Sequence, residues 1–254
     1  MCRHLAYLGP PVPLARLLLE PEYALLRQSW QPRRQAHGRL NADGFGIGWY
    51  VEGLDEPARY RRAVPMWTDA NVPELARVTR SGAVLAAVRS ATAGMGQAES
   101  AAAPFKYGRW LFSHNGALPG WPESGALVAA ALPSTTLLTM DAPSDAALLW
   151  TFICSRLLAG DALGMALSAA VSIAAPTGGR LNFLLTDGVT IAATTWGDTL
   201  SWRADQRGVF VASEPFDDEP GWHDVTDRSL LISTPDGVEV TPLILVPPIE
   251  GVPQ

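Results

Sequence analysis

The sequence predicts an α+β fold. Strand-like runs cluster at both ends of the chain, two long helical stretches fill the middle, and tight-turn dipeptides punctuate the C-terminal strands. Alternating strand–helix units, which would signal a parallel sheet, are absent from this pattern.

The elements follow in order. Residues 2–8 read as a strand that Gly9 and the prolines at 10, 11 and 13 should stop. Residues 14–19 and 21–28 read as helical. From 30 to 44 no periodicity survives, and Arg33, Arg34, His37, Asn41 and Asp43 sit among turn residues. A long loop of that kind in a compact domain usually serves function. Residues 45–52 read as a strand and 72–80 as a helix, with Asn71 as a candidate cap and Pro73 in the first turn. Residues 83–90 form an apolar strand, and 109–113 form another that ends at His114-Asn115-Gly116. Ser144 can cap a helix over 145–159 that stops at Gly160, and a second helix follows over 163–174. Strands are then predicted at 181–186, 190–195, 200–203, 209–213, 230–233 and 238–243. Asp187-Gly188 and Asp236-Gly237 lie between pairs of them, as hairpin turns require.

Composition narrows the function. The 254 residues are 48% hydrophobic and 17% charged, enough to bury a sizeable core. A net charge of −6 argues against nucleic-acid binding, which needs a basic face to release counterions. Apolar runs are broken by Pro or polar residues before they reach the length of a membrane span, and the N-terminus makes a poor secretory signal. The expectation is a soluble, cytoplasmic protein with no membrane partner.

Several motifs fail on inspection. Gly44-Phe45-Gly46-Ile47-Gly48 has the wrong spacing for a dinucleotide loop, and a strand-like Trp-Tyr-Val follows where a helix should begin. A phosphate loop and a GxSxG nucleophile elbow are both missing. His4, His37, His114 and His223 do not pair at ligand spacing, and two cysteines cannot build a zinc site alone. A chain starting Cys-Arg-His could chelate copper or nickel through its amine and imidazole, but only from a flexible terminus, whereas this one is strand-like. No metal and no cofactor is expected.

The two cysteines differ. Cys154 lies in an apolar helix and reads as inert core. Cys2 follows a methionine that aminopeptidase should remove, because cysteine is small. That would leave Cys2 with a free α-amine, whose ordinary pKa of about 7.7–8.0 lets it take the thiol proton. Nucleophile and base then belong to one residue. Taken alone, Cys2 reads more readily as a small apolar residue in a first strand. Other residues add weight, each with an ordinary alternative. Asn115 and Gly116 offer donors for an oxyanion, or form a hairpin turn. Arg89 can clamp a carboxylate, or sit as a solvated cation at a strand end. Asp145 can bind an ammonium, or complement a helix dipole.

Together these residues resemble a family. Met1-Cys2, Arg89-Ser90-Ala91-Thr92-Ala93-Gly94, His114-Asn115-Gly116 and Ser144-Asp145 occur in the order of the class II glutamine amidotransferase domain, within the N-terminal-nucleophile hydrolases. The resemblance covers the whole chain. It implies one domain over 1–254, with a loose tail over 247–254, folded as a four-layer αββα sandwich of two antiparallel sheets. It also implies that Cys2 is the nucleophile and that Asn115 and Gly116 form the oxyanion hole. Arg89 and Thr92 would hold the α-carboxylate of a γ-glutamyl group and Asp145 its α-ammonium, with Asn41, Asp43 and Gly44 bordering the site. Ala93 departs from the wider pattern, which often has His there.

A narrower resemblance is carried by CRHLAYLG, PRRQAHGRLNADGFGIGWY, APFKYGRWLFSHNG, RLNFLLTDG, ATTWGDTLSW and VASEPFDDEPGW. These segments look like the amidohydrolases of the ergothioneine pathway, which cleave γ-glutamyl-hercynylcysteine sulfoxide. The partner implied is a small γ-glutamyl substrate, and nothing indicates a homo-oligomer. The leaving half of that substrate carries a trimethylammonium, a cation usually held by aromatic faces or an acid. An aromatic near the loop 30–44 is expected to bind it, and nine Trp supply candidates, including Trp30, Trp49 and Trp67. A stand-alone glutaminase feeding ammonia to a separate partner, and a non-catalytic binding protein on the same fold, remain the alternatives.

Overall fold

A computed structural model describes residues 2–91, 98–234 and 237–245. The chain runs β1 (Cys2–Pro13), α1 (Ala15–Leu18), α2 (Leu25–Gln28), β2 (Phe45–Trp49), β3 (Ala58–Arg62), α3 (Val72–Val78) and β4 (Arg80–Arg89). It continues through β5 (Phe105–Tyr107), β6 (Trp110–Ala117), α4 (Ala126–Ala130), α5 (Ser134–Leu137), α6 (Asp145–Leu158) and α7 (Leu163–Ala174). The C-terminal part is β7 (Arg180–Thr186), β8 (Ile191–Thr195), β9 (Ser201–Asp205), β10 (Gly208–Ala212), β11 (His223–Asp224), β12 (Ser229–Thr234) and β13 (Gly237–Pro242).

The strands form two antiparallel sheets. A seven-stranded sheet has the order β11-β9-β10-β1-β4-β2-β3, and a six-stranded sheet has the order β13-β12-β8-β7-β6-β5. Three apolar clusters fix the layering. One joins α6 and α7 to the outer face of the six-stranded sheet, through Phe112, Leu149, Ile153, Leu167 and Phe183. A second joins α1–α3 to the outer face of the seven-stranded sheet, through Leu17, Leu25, Phe45, Val84 and Phe210. The third fills the space between the sheets with Ala6, Leu85, Leu111, Leu184 and Val211. Helix, sheet, sheet, helix is the four-layer αββα sandwich that the sequence led us to expect.

Strand parity decides what faces where. In β1, Leu5 and Tyr7 join the outer cluster and Ala6 and Leu8 the inter-sheet one. Cys2 and His4 therefore point between the sheets, and Arg3 points the other way. In β4, Leu85 faces inward and Val88 outward, which turns Arg89 inward. In β6, Leu111 is inward and Phe112 lies under the helices. Asn115 is therefore inward, and Gly116 faces the helical layer.

Several local expectations are corrected. Strand β1 is not stopped by Gly9 and the prolines; it absorbs them in a register shift between Leu8 and Val12 and runs on to Pro13. Asn71 makes no side-chain cap to α3. Its own N–H instead donates to Asp69 Oδ1 at 2.9 Å, which caps the preceding turn. Ser144 does cap α6, accepting from Ala147 N at 3.2 Å. The Asp187-Gly188 turn joins β7 to β8, with Asp187 Oδ1 accepting from Val189 N and Thr190 N. Thr234 pairs with Gly237 on either side of the second predicted turn, of which Asp236 lies outside the described residues, as does the tail 247–254. The glycine run at 44–48 belongs to β2. A Cβ at Gly46 would meet the Ala103 carbonyl and Pro104, so the glycine admits the facing chain.

Candidate active site

The sequence-predicted residues converge at one end of the sandwich. Cys2 opens β1 directly opposite Arg89, the last residue of β4. Asn115 and Gly116 lie near the end of β6, and Asp145 is the first residue of α6. A cleft there is lined by Cys2, Arg89, Ser90, Gly116, Ser144 and Asp145, with His114 and Phe105 behind them. Thr92 lies outside the described residues.

Asn115 joins the two sheets. The nitrogen of Cys2 donates to its Oδ1 at 3.1 Å, which fixes the carboxamide with oxygen toward β1. Its Nδ2 is buried and makes no hydrogen bond among the described residues. A buried donor without a partner is costly, and it persists where a ligand atom is to be received. The dipeptide is not a hairpin turn: Asn115 pairs with Asn182, and Gly116 with Leu181, inside the β6–β7 ladder. Leu181 N donates to Trp196 O, away from β6. Leu181 and Gly116 thus form a non-hydrogen-bonded pair, and the Gly116 N–H points to the free edge of β6. The Leu118 N–H, two residues on, points the same way and reaches Asp145 Oδ2 at 2.9 Å. No side chain fits at 116, because a Cβ would overlap the Arg180 carbonyl and the His114 ring.

Asp145 is buried and oriented. Oδ2 accepts from Leu118 N, and Oδ1 from Ala146 N at 2.7 Å. A carboxylate has about four acceptor sites, so about two remain for a cation in the cleft. His114 is neutral: burial pushes its pKa down, the Asp145 charge opposing, and Nε2 bonds the Arg180 carbonyl at 2.9 Å. Burial likewise pushes His4 down to about 3, while its Nδ1 lies 3.2 Å from Ser113 Oγ.

The loop 30–44 borders the cleft at one end only. Asp43 N donates to Arg89 O at 2.9 Å, and Arg89 N to Gly44 O at 2.8 Å. Asp43 Oδ2 accepts from Ala91 N at 2.8 Å, and Arg89 Nη1 donates to the Asp43 carbonyl at 3.3 Å. Asn41 does not line the cleft. It is fully buried and braces the loop, with Nδ2 donating to Gln28 O and to Gln35 Oε1, both at 3.0 Å.

Sequence reasoning missed Glu214 and Arg3. Glu214 follows β10 and is fully buried, accepting from Arg33 N through Oε1 and Arg34 N through Oε2, both at 2.8 Å. Its Oε2 also lies 3.6 Å from Nη1 of Arg3, which is equally buried. Arg3 Nε donates to the Cys2 carbonyl at 2.9 Å. One carboxylate thus ties the long loop to the residue beside Cys2. A buried acid among SEPFDDEPGW was the only signal, and nothing local distinguishes it from its exposed neighbours.

Residues 22–202 match the family model described as "Glutamine amidotransferases class-II". The chain belongs to the class II glutamine amidotransferases. It is 46% identical over 244 residues to the gamma-glutamyl-hercynylcysteine sulfoxide hydrolase of Mycolicibacterium smegmatis, covering 96% of this chain and 100% of that protein. It is 43% identical over 249 residues to the protein of the same name from Mycobacterium tuberculosis, covering 96% of this chain and 97% of the relative. Among solved structures, a glutamine aminotransferase class-II domain protein from Silicibacter pomeroyi superposes with a TM-score of 0.68 at 23% identity, covering 96% of this chain and all of that one. This last likeness carries the amidotransferase fold.

Proposed function

We propose that this chain hydrolyses the γ-glutamyl amide of γ-glutamyl-hercynylcysteine sulfoxide, releasing glutamate and hercynylcysteine sulfoxide, with Cys2 as nucleophile after removal of Met1. The observation that carries the chemistry is the Cys2 nitrogen held 3.1 Å from Asn115 Oδ1, with Asn115 Nδ2 buried beside it and without a hydrogen bond among the described residues. The choice of substrate is supported by near full-length similarity to hydrolases of that name.

The α-amine of Cys2 takes the thiol proton, and Sγ attacks the γ-carbonyl carbon to form a C–S bond. The carbonyl oxygen becomes an oxyanion received by Asn115 Nδ2 and the Gly116 N–H. Collapse breaks the C–N bond, and the protonated amine passes its proton to the leaving nitrogen. Water then attacks the thioester, giving one proton to the amine. The C–S bond breaks, the proton returns to Sγ, and glutamate leaves. Arg89 is suited to the α-carboxylate and Asp145, with its spare acceptor sites, to the α-ammonium. Thr92 belongs with Arg89 in this reading.

Intact-mass measurement after exposure to a glutamine-mimicking diazoketone tests the nucleophile. A Met-free chain with one adduct, lost in Cys2→Ser, is expected, and a Met-free wild-type chain without an adduct would refute it. Release of glutamate from the sulfoxide substrate but not from glutamine tests the specificity. Equal release from both would favour a stand-alone glutaminase.

A further inference from the structure

The proposed substrate ends in a group that the cleft residues do not account for. A trimethylammonium is a fixed cation without an N–H to donate, so carboxylates and carbonyls cannot hydrogen-bond it. Aromatic faces are the side chains that recognise such a cation. The nine tryptophans supply candidates, among them Trp30, Trp49 and Trp67, and the fold separates these three.

Trp49 is at the wrong end. It pairs with Ala58 and Val84, at the end of β2 away from Gly44, and packs on the outer core. Trp30 and Trp67 are at the right end and together. Their rings meet at 5.8 Å between centroids with an interplanar angle of 86°. Both are solvent-accessible, at 40% and 41% of their surface. Perpendicular rings make an open corner that offers a cation two aromatic walls.

Backbone bonds tie this corner to the cleft. Cys2 pairs with Arg89, Arg89 N reaches Gly44 O, and Phe45 pairs with Arg62. These residues therefore lie in a row along one rim of the seven-stranded sheet. Three strand spacings put the end of β3 about 15 Å from Cys2. Trp67 sits in the short turn Met66–Thr68 just beyond that end. Trp30 adjoins Ser29, whose carbonyl accepts from Asn41 N at 2.7 Å, two residues before Asp43 grips Arg89. The leaving half spans roughly 10–12 Å from the reacting carbonyl to the quaternary nitrogen when extended. A cation within about 6 Å of a ring centroid is in range. The lengths match. The charge of Arg62 beside the turn is offset in part by Asp69, whose Oδ2 lies 3.9 Å from its Nη1.

We propose that the Trp30–Trp67 corner is the subsite for the quaternary ammonium of the leaving group. This rests on the reading given under Proposed function. The test compares Trp30→Ala, Trp67→Ala and Trp67→Phe on two substrates, γ-glutamyl-hercynylcysteine sulfoxide and a simple γ-glutamyl anilide. The ratio of KM for the betaine substrate to KM for the anilide should rise about 3- to 30-fold in each Ala variant and recover in Trp67→Phe. An unchanged ratio would overturn the proposal. Calorimetric titration with trimethylhistidine, against histidine as control, decides the corner apart from catalysis. Binding of the betaine alone, lost in the Ala variants, supports it, and equal or absent binding of the two overturns it. Wild-type protein that binds trimethylhistidine but releases no glutamate from the sulfoxide would refute the hydrolase reading and leave the corner standing.

Discussion

Replacing Glu214 by Ala should destabilise the protein strongly and loosen the loop 30–44 selectively. The guanidinium of Arg3 and the carboxylate of Glu214 are both fully buried, 3.6 Å apart at their nearest charged atoms. Burial pushes the Arg3 pKa down, and the Glu214 charge is the foremost influence opposing that. Removing Glu214 takes from the buried Arg3 guanidinium its foremost compensating charge, with Asp198 next in influence, and costs about 3–5 kcal/mol. The Arg33 and Arg34 N–H groups lose their acceptor as well, but water reaches that stretch and replaces much of the bond. For a chain of this size about 3–5 kcal/mol corresponds to a fall in Tm of roughly 6–20 °C. Urea and thermal unfolding followed by circular dichroism read this directly. Limited proteolysis should cut within 30–44 before any other described segment. Arg3→Met combined with Glu214→Leu should recover most of the loss, since neither charge is then left buried alone. A loss below about 1 kcal/mol in Glu214→Ala, or a double variant as unstable as the single one, would refute the reasoning.

Other consequences follow from the same geometry. Asn115→Ala removes one proposed oxyanion donor, so kcat should fall on the order of 10²–10³ with KM less affected, as steady-state kinetics on the sulfoxide substrate can establish. His4 is buried neutral with its pKa pushed down to about 3, and His114 is pushed down too. Both bind a proton more readily in the unfolded chain than in the folded one, so their contribution is complete above about pH 6.5 and falls below it, that of His4 being lost as pH falls toward about 3. Unfolding free energy should therefore drop by up to about 1.4 kcal/mol per pH unit below about pH 6.5 on account of His4, with His114 acting in the same direction. Urea titrations at pH 7.5 and 5.5 should show a shallower slope in His4→Gln. Cys154 is buried and burial pushes its thiol up, so iodoacetamide should alkylate native protein at Cys2 alone, with Cys154 reacting only in denaturant, as peptide mass mapping would show.

What the sequence disclosed and what it hid divide along physical lines. Long periodic helices, and strands with an apolar alternation, were legible because a single face dictates them. Strand β3 was not. Its ARYRR is half-buried throughout and shows no alternation. It is an edge strand that exists because β2 pairs with it. Strand β5 has three residues, too few for any period. Asn115-Gly116 carries the dipeptide signal of a turn, and only the β6–β7 register shows that it lies inside a ladder. The cleft residues became legible through their order along the chain. The loop 30–44 was legible as unusual, but its partner Glu214 lies about 180 positions away, beyond any local pattern.

The placement of Arg3 next to Cys2 bears on how the site avoids an alternative fold. A one-residue slip of β1 against β4 would exchange the faces of every side chain in the strand. Cys2 would leave Asn115 for the outer layer, and Arg3 would enter the space between the sheets. A slip among Ala, Leu and Tyr alone would exchange one apolar contact for another at modest cost. With Arg3 in the strand it would take a guanidinium away from Glu214 and set it beside the buried Nδ2 of Asn115, donor against donor. His4 would lose Ser113 and Ser213 at the same step. The polar residues flanking Cys2 thus make the wrong register expensive even where their net contribution to stability is small. The same carboxylate that anchors the loop at Arg33 and Arg34 holds the first strand in the register that points Cys2 at Asn115.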